Sequence, residues 1–194
     1  MKFCSSCGSN DLDHRVPAGD NRHRYVCGQC EQIFYENPKM IVGCIIEHDN
    51  KVLLCKRAIA PRYGLWTLPA GFMENQETAA QGAAREAHEE AFAQTQIHGL
   101  YAQFSVAHID QVYLLYRATL LAPESVAAGE ESLAVGLFEE HEVPWNELAF
   151  PVMKKSLELY FEDRRRGQFR SHSGDIAVNP ANRANPEFSI ISIG

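Results

Sequence analysis

Hydrophobic and polar positions divide the chain into a polar N-terminal region and a longer region with regular apolar runs. The run from Met40 to Ile46 has the length of a strand, and Val52 to Cys55 predicts its hairpin partner beyond the polar turn at His48 to Asn50. Further strands are predicted at Leu65 to Leu68, Ile97 to Val106, Val112 to Leu121 and Leu133 to Glu139. The pattern therefore predicts a sheet at the centre of the fold.

Two helices are predicted beside this sheet. The first runs from Gln76 to Ala93 with Asn75 as its N-cap, and the second runs from Pro151 to Arg166 and ends in three arginines that complement its dipole. From Gly167 onward, proline, asparagine, glycine and serine are frequent, which predicts a loosely packed tail with Phe188 to Ile191 as a candidate edge strand. The predicted fold class is α/β (α+β), with a mixed sheet flanked by both helices.

Four of the six cysteines form two CxxC pairs near the N-terminus, a spacing that suits a tetrahedral thiolate site for structural zinc. These four are Cys4, Cys7, Cys27 and Cys30. Because the polar stretch between the pairs has little apolar material, metal binding would supply its folding energy. We predict a zinc ribbon at residues 1–36, a main domain at 37–166 and the tail at 167–194. The other two cysteines, Cys44 and Cys55, lie in apolar runs and are interpreted as packing residues.

Charge and hydropathy narrow the possible partners and compartments. The formal net charge of -7 argues against nucleic acid or an anionic membrane as a partner, because both attract clustered lysine and arginine. The longest apolar run, around Met40 to Ile46, is shorter than the roughly 20 residues that a membrane-spanning helix needs, and Met1 to Cys7 lacks a secretory apolar segment. We therefore expect a cytoplasmic protein whose anionic ligands need a local source of positive charge.

Three carboxylates in the first predicted helix suggest that source. Glu86, Glu89 and Glu90 fall on one face of a helix that advances about 100° per residue, so all three point to the same region. A face of this kind is tolerated when hard divalent cations such as Mg²⁺ or Mn²⁺ take the oxygen atoms as ligands, and such ions also hold substrate phosphates. A solvated helix face is the alternative that fits a charge run taken alone.

The residues around these glutamates resemble the Nudix box. Gly71, Glu77, Arg85, Glu86, Glu89 and Glu90 match its spacing, and the segment from Gly64 through Trp66 and Leu68 to Ala70 is similar to the strand and loop that lead into it. The departure is Phe92, which stands where the family usually has a glycine that ends the helix in a left-handed conformation. Phe92 therefore predicts a longer or differently terminated helix.

The resemblance implies roles for particular residues. The ligands of the catalytic Mg²⁺ or Mn²⁺ would be Glu86, Glu89, Glu90, the carbonyl of Ala70 and an acidic residue from a later loop. Glu131 is in the matching place for the last of these, and Glu130 is its competitor. Glu77 and Arg85 would hold the loop against the helix, and either Glu89 or Glu90 would act as the general base on a water molecule.

Other segments narrow the resemblance within the family. The stretches Tyr35 to Met40, Gly64 to Gly71 and Leu157 to Asp163 are similar to the plant chloroplast-type Nudix hydrolases that act on FAD and ADP-ribose. The zinc ribbon also resembles the NADH pyrophosphatase branch, but the Ser-Gln-Pro-Trp-Pro-Phe-Pro-like segment of that branch is absent. The resemblance implies a homodimer that hydrolyses FAD to FMN and AMP, with ADP-ribose or NADH as alternative substrates.

A catalytically weak nucleotide-binding regulator is the alternative from another functional class. Binding alone would not need the full set of box carboxylates and Arg85, which favours the enzyme.

Candidate substrate-binding residues lie near the box. The ring of Phe72 is a candidate platform for a nucleotide base, and Arg57 and Arg62 are candidates for gripping phosphate oxygens. Core packing or surface solubilisation is the alternative for each of them. Trp66 is interpreted as packing. His88 and His108 are further candidates for a role at the site, although the sequence places His88 on another face of the helix.

Overall fold

A computed structural model describes residues 1–177 and 187–193, and the chain divides into two units, Met1–Pro38 and Lys39–Gly194. The first unit is an antiparallel sheet of three strands in the order β1 (Leu12–Arg15), β2 (Arg24–Cys27) and β3 (Ile33–Phe34). Its buried apolar side chains include Val26 and two of the cysteines, Cys4 and Cys27. So small a core agrees with the prediction that this unit depends on a metal site.

The second unit is built on a nine-stranded sheet. Its strands are β4 (Lys39–His48), β5 (Lys51–Arg57), β6 (Trp66–Thr67), β7 (Ala70–Phe72), β8 (Thr95–Val106), β9 (Gln111–Leu120), β10 (Ser132–Phe138), β11 (Ser171–Ala177) and β12 (Glu187–Ile193). Seven follow the order β10-β5-β4-β9-β8-β11-β12, while β6 pairs with β5 and β7 pairs with β4. The sheet is mixed because β4 runs parallel to β9 and β11 runs parallel to β8.

Two helices, α1 (Ala79–Ala91) and α2 (Pro151–Arg166), cover the two faces of this sheet. Strand β4 shows why, because its side chains are buried on both sides. Ile41 and Ile45 belong to the apolar cluster that includes residues of α2, whereas Val42, Cys44 and Ile46 belong to the cluster that includes the alanines of α1. The predicted fold class, the hairpin at residues 48–50 and the bounds of α2 are confirmed.

The start of α1 differs from the prediction. The helix begins at Ala79 with Thr78 as its N-cap, three residues after the predicted Asn75. The Thr78 hydroxyl accepts a hydrogen bond from the Gln81 backbone at 3.2 Å, and the Gln81 side chain accepts one from the Thr78 backbone at 2.8 Å. This reciprocal pair satisfies two backbone donors, while the positive φ of Gln76, 72°, keeps that residue out of the helix.

The end of α1 also differs from the prediction. Phe92 adopts the left-handed conformation itself, with φ 49° and ψ 23°, and its backbone N–H donates to the carbonyl of His88 at 2.8 Å. The helix therefore ends at Ala91 with a left-handed residue at position 92, and the expectation of a longer or differently terminated helix is wrong. An edge-to-face contact between the rings of Phe92 and His88, with centroids 5.6 Å apart, packs on this turn.

The segment that follows α2 is more ordered than the prediction of a loosely packed tail. Strand β11 pairs with β8, and the buried His172 of β11 lies 2.7 Å from a carboxylate oxygen of Asp163. The same oxygen accepts hydrogen bonds from the hydroxyl of Tyr101 at 2.9 Å and from the backbone of Arg170 at 3.1 Å. The prediction is therefore wrong for residues 171–177, and the predicted edge strand at Phe188 lies within β12. Residues 178–186 lie outside the described residues.

Within the residues that the structure describes, no helix is both long enough and apolar enough to cross a bilayer.

Candidate active site

The loop before α1 and the helix itself meet at Gly71. A β-carbon at this glycine would lie 2.3 Å from Oε2 of Glu86, so a larger residue would displace the carboxylate. Strand β7 holds the loop in place, since Ala70 pairs with Gly43 and Phe72 with Ile41. The glycine is therefore required so that the backbone approaches the Glu86 side chain closely.

Arg85 ties this loop to the helix. Its guanidinium donates hydrogen bonds to both oxygens of Glu77, at 2.8 and 3.0 Å, and to the carbonyl of Phe72 at 3.1 Å. Glu77 in turn accepts a hydrogen bond from the backbone of Glu74 at 2.7 Å. The paired Arg85 lowers the pKa of Glu77 to about 2, so the carboxylate stays charged at neutral pH. These contacts support the structural roles proposed for Glu77 and Arg85.

The glutamates of the box differ in exposure. Glu86 and Glu90 are buried, with 8% and 6% of their surface exposed, whereas 56% of the Glu89 side chain is exposed. One nitrogen of Arg85, Nη1, donates to Glu86 at 2.7 Å and to Glu89 at 2.9 Å. The structure therefore brings the three carboxylates to one face of α1, with one open to solvent and two enclosed.

Burial and mutual repulsion act on the enclosed carboxylates. Burial is the main cause that raises the pKa of Glu86, and burial together with the charge of Glu86 raises the pKa of Glu90 to about 8. The charge of Glu131 raises both pKa values further, whereas Arg57 opposes the increase at Glu90. Such a cluster favours a bound cation, because a cation stabilises the ionised form of each carboxylate.

Of the two candidate residues in the later loop, Glu131 is the one whose charge acts on the box glutamates. Its backbone carbonyl accepts a hydrogen bond from Ala58 at 2.8 Å, at the end of β5. The adjacent Glu130 is exposed, as Glu131 is, but it is not among the main causes of the pKa shifts of Glu86 and Glu90. This electrostatic difference favours Glu131 over Glu130 as the later acidic ligand.

The candidate substrate-binding residues lie in different environments. Arg57 is 9% exposed, donates a hydrogen bond from Nε to the carbonyl of Pro61 at 3.0 Å, and lies over the ring of Phe150 at 5.1 Å. Arg62 is exposed. The ring of Phe72 is 55% exposed, and the ammonium group of Lys39 lies 5.3 Å from its centre. Phe72 and Arg62 are therefore accessible to a ligand, whereas Arg57 is largely enclosed.

The remaining candidates from the sequence, Trp66, His88 and His108, differ in their exposure. Trp66 packs against the apolar core and makes an edge-to-face contact with Phe138 at 5.0 Å. His88 is exposed beside Phe92, and His108 is exposed on the single 3₁₀ turn Ala107–Ile109. Among the described residues, none of these three side chains forms a hydrogen bond or ion pair with a box carboxylate.

The four cysteines of the first unit form a ligand set for zinc. Their sulfur atoms all lie within 4.8 Å of one another. Burial opposes ionisation of Cys4, but hydrogen bonds from the backbone of Cys7 and Ser6 outweigh it and lower the pKa of Cys4 to about 6. The backbone of Cys30 is the main cause that lowers the pKa of Cys27. Four convergent thiol groups with two favoured thiolates fit a tetrahedral zinc ion.

The glutamates fit a different class of metal ion. Among the described residues they do not form a compact ligand cluster as the cysteines do, and two of them bind Arg85. Their donors are all carboxylate oxygens, and positive charge would stabilise the ionised forms of the two enclosed carboxylates. The donor set therefore suits a hard divalent cation such as Mg²⁺ or Mn²⁺.

A cleft of about 700 Å³ lies away from these carboxylates, at the opposite ends of β5 and β10. Arg165 pairs there with Glu140, and Glu139 also lines the cleft, whereas Arg164 donates to the neutral Asn50 at 2.6 Å. Because acidic residues share this cleft and the box glutamates lie elsewhere, we do not assign the substrate to it.

Sequence reasoning did not identify two features of the site. Cys55 is buried beside Glu90, and burial together with the Glu90 charge raises the pKa of its thiol. Gly129, which is buried, meets the carboxyl end of α1. No local motif signals either feature, because each depends on a contact between elements distant in sequence.

Comparisons with known proteins agree with this geometry. The profile described as Nudix N-terminal zinc ribbon matches residues 2–36, and the NUDIX domain profile matches residues 37–160. A crystal structure of a NUDIX hydrolase from Nitrosomonas europaea is 57% identical, with a TM-score of 0.87, and the match covers 91% of this chain and 99% of that chain. This similarity extends over both units.

Curated relatives match over shorter segments. The NAD-capped RNA hydrolase NudC of Vibrio atlanticus (strain LGP32) is 37% identical over 93 residues, which cover 46% of this chain and 31% of that protein. The ADP-ribose pyrophosphatase of Methanocaldococcus jannaschii is 31% identical over 120 residues, covering 60% of this chain and 69% of that protein. The chain thus spans about a third of the length of the NudC protein that it matches.

Proposed function

The chain belongs to the Nudix hydrolase family, and we propose from this that it splits the pyrophosphate bond of a nucleoside diphosphate derivative that contains an AMP half. The observation that carries the proposal is the acidic cluster formed by Glu86, Glu90 and Glu131 beside the box loop. The exposed ring of Phe72 follows that loop directly and offers a flat surface for a base.

The metal ligands that we propose are Glu86, Glu89, Glu90, Glu131 and the carbonyl of Ala70. A divalent cation held there supplies positive charge to the phosphate oxygens and lowers the pKa of a bound water. The acidic chain thereby accommodates an anionic substrate. In the first unit, Cys4, Cys7, Cys27 and Cys30 would hold a structural zinc ion. We assign Mg²⁺ or Mn²⁺ to the glutamates because all of their donors are oxygen atoms.

We assign the proton-accepting role to Glu89. Its carboxylate is 56% exposed, so a water molecule can reach it, whereas Glu90 is almost fully enclosed. The hydrogen bond from Arg85 Nη1 at 2.9 Å holds the Glu89 side chain near Glu86. Arg85 and Glu77 fix the loop, while Arg57 counters the negative charge around Glu90 from its enclosed position. Arg62, which is exposed on the adjacent loop, is the candidate for contacting phosphate.

The substrate class can be narrowed by the chemistry that the candidates share. The curated relatives are named for NAD-capped RNA and for ADP-ribose, and the sequence resemblance implies FAD. All three contain AMP joined through a pyrophosphate, so a site that holds the AMP half and the pyrophosphate would accept each of them. The second half of the dinucleotide then decides the preference. A homodimer and a cytoplasmic location stay predictions from the sequence.

Product analysis tests the proposal. The purified chain would be incubated with FAD, NADH, ADP-ribose and a nucleoside triphosphate, each with Mg²⁺, with Mn²⁺ and without added metal. We expect metal-dependent release of AMP from FAD, NADH and ADP-ribose and little turnover of the triphosphate. The second product, FMN, NMNH or ribose 5-phosphate, identifies the preferred substrate. Metal-dependent cleavage of the triphosphate alone, or no turnover at all, would overturn the proposal.

Matched variants connect the activity to the cluster. Glu131→Gln and Glu130→Gln make the same chemical change at adjacent positions, but of the two only Glu131 is among the main causes that raise the pKa of the box carboxylates. We expect Glu131→Gln to lower kcat about tenfold or more and Glu130→Gln to change it less than about twofold. Equal losses in both variants would contradict the assignment of Glu131.

A further inference from the structure

The loop between β9 and β10 closes the carboxyl end of α1. The last carbonyl groups of a helix lack partners within the helix, so they need donors from elsewhere. Here the backbone of Gly129 donates to the carbonyl of Glu90 at 3.0 Å, and the backbone of Ala127 donates to Ala91 at 3.1 Å. The Ser125 hydroxyl lies 3.3 Å from the carbonyl of Phe92 and closer, 2.8 Å, to the carbonyl of Ala122, with which it shares its one hydrogen. Two successive carbonyl groups of the helix end are therefore satisfied by backbone donors of one loop.

Gly129 is the point at which this loop approaches the helix most closely. A β-carbon on Gly129 would lie 1.8 Å from the carbonyl oxygen of Glu89 and 3.2 Å from the carbonyl carbon of Glu90. Both of these atoms belong to the helix backbone, which cannot rotate away as a flexible side chain does. Any residue other than glycine would therefore force the loop and the helix apart.

The same loop carries Glu131. The carbonyl of Gly129 accepts a hydrogen bond from the backbone of Ser132 at 3.1 Å, so residues 129–132 form a tight turn with Glu131 inside it. The carbonyl of Glu131 also accepts a hydrogen bond from Ala58 at 2.8 Å. The backbone of Glu131 is thus fixed on one side by α1, through Gly129, and on the other side by the end of β5.

We propose that Gly129 is a positioning residue that sets the distance between Glu131 and the glutamates of α1. It touches neither substrate nor metal. Its backbone contact with the helix places the loop carboxylate beside Glu86 and Glu90, so the two sets of ligands act on one cation. This inference rests on the proposed function, in which Glu131 and the box glutamates bind metal together.

A double-variant cycle tests the proposal through Mn²⁺ affinity, measured by titration calorimetry without substrate. The variants are Gly129→Ala, Glu131→Gln and the two combined, and the control is Gly99→Ala, where a β-carbon would meet nothing within 4 Å. We expect Gly129→Ala and Glu131→Gln each to weaken Mn²⁺ binding about tenfold. If glycine acts by placing Glu131, the combined variant binds no more weakly than Glu131→Gln alone.

Kinetics with the preferred dinucleotide provide a second readout. Gly129→Ala should lower kcat about tenfold, while the KM for the nucleotide changes less than about twofold, because the base-binding surface is untouched. Ala127→Pro removes the second donor to the helix end and brings its ring against the carbonyl of Ala91, so it also separates the loop from the helix. Val126, with ψ 122°, already has the conformation that a following proline requires. This variant should lose Mn²⁺ affinity in the same direction.

The outcomes separate the two proposals. A folded Gly129→Ala protein with wild-type Mn²⁺ affinity, or losses in the combined variant that multiply, would overturn the positioning role. If Gly129→Ala does not fold, unchanged Mn²⁺ affinity in Ala127→Pro would overturn it. Absence of dinucleotide cleavage in the wild-type chain would instead remove the proposed function, while the Mn²⁺ titrations would still report whether Gly129 places Glu131.

Discussion

Arg85 donates two hydrogen bonds to Glu77, from Nε at 3.0 Å and from Nη2 at 2.8 Å. This forked pairing joins the box loop to the helix that carries the metal-binding glutamates, and a third hydrogen bond reaches the carbonyl of Phe72. One side chain therefore controls both the position of the loop and the charge balance of the helix face.

The pairing predicts a contribution to stability at neutral pH that is lost in acid. The pKa of Glu77 is lowered from 4.5 to about 2 in the folded chain, so the unfolded chain binds the proton first as the pH falls. The contribution is complete above pH 4.5 and disappears as the pH falls to about 2. Urea unfolding of wild type and Glu77→Gln across this range should show the difference between them shrinking towards acid. Glu124→Gln, at an exposed turn, is the control, and a pH-independent difference would contradict the prediction.

The raised pKa of Glu90 predicts the opposite dependence of stability on pH. Its pKa is raised from 4.5 to about 8 in the folded chain, so unfolding releases a proton between these values and stability falls as the pH rises through them. Without added Mg²⁺ or Mn²⁺, and with zinc retained in the ribbon, Glu90→Gln should be more stable than wild type at pH 8, by on the order of 2 kcal/mol. Thermal unfolding at pH 5 and pH 8 measures the change.

Added metal provides the control for the Glu90 prediction. Mg²⁺ should stabilise the wild-type chain at pH 8 and stabilise Glu90→Gln much less, since the variant lacks one anionic ligand. A variant that is less stable than wild type at both pH values in the absence of Mg²⁺ would show that burial and neighbouring charges do not destabilise the ionised form of Glu90.

The left-handed conformation of Phe92 predicts that glycine is more stable than alanine at this position. A left-handed conformation is unfavourable for residues with a β-carbon and is free of that penalty for glycine. Phe92→Gly and Phe92→Ala both lose the ring contact with His88, so their difference isolates the backbone. We expect the glycine variant to be more stable than the alanine variant by about 1 kcal/mol in urea unfolding. Equal stability would mean that position 92 leaves the left-handed conformation when the ring is removed.

The ribbon predicts one bound zinc ion per chain, which elemental analysis of the purified protein measures. Cys27→Ser should lower the zinc content well below one ion, because Cys27 is fully buried among the other three sulfur atoms. Cys44→Ser is the matched control, since Cys44 is also fully buried but donates its hydrogen bond to the carbonyl of Ala83. Loss of zinc from both variants would indicate a general effect of the substitution.

Local signals in the sequence were sufficient for α2 and for the strands β4, β5, β8, β9 and β10, but not for β11, which lies in the predicted loose tail. The apolar run around Ile45 and the proline at position 151 each determine structure through neighbours in the chain. The start of α1 was wrong because two polar N-cap candidates, Asn75 and Thr78, lie close together. Only the second has a glutamine three residues later, Gln81, whose side chain completes the capping pair.

The site was predicted in its residue types but not in its environment. The box spacing identified the face of α1, whereas the enclosure of Glu86 and Glu90 depends on Gly71 and the loop at Gly129, which are distant in sequence. The enclosed position of Arg57 was also invisible, because it depends on Phe150 at the start of α2. Long-range packing of this kind leaves no periodic pattern in the chain.

The pairing of β11 with β8 has a consequence for synthesis of the protein. Strand β8 is made 65 or more residues before β11, and until β11 arrives the backbone of Ala102 to Ser105 has an open edge. An open strand edge is a template for pairing with other chains. The contacts among Tyr101, Asp163 and His172 then fasten the late strand over that edge. A nascent or truncated chain that stops before Ser171 would therefore expose an unpaired strand edge that can pair with other chains. The yield of folded protein would depend on how quickly that edge is covered.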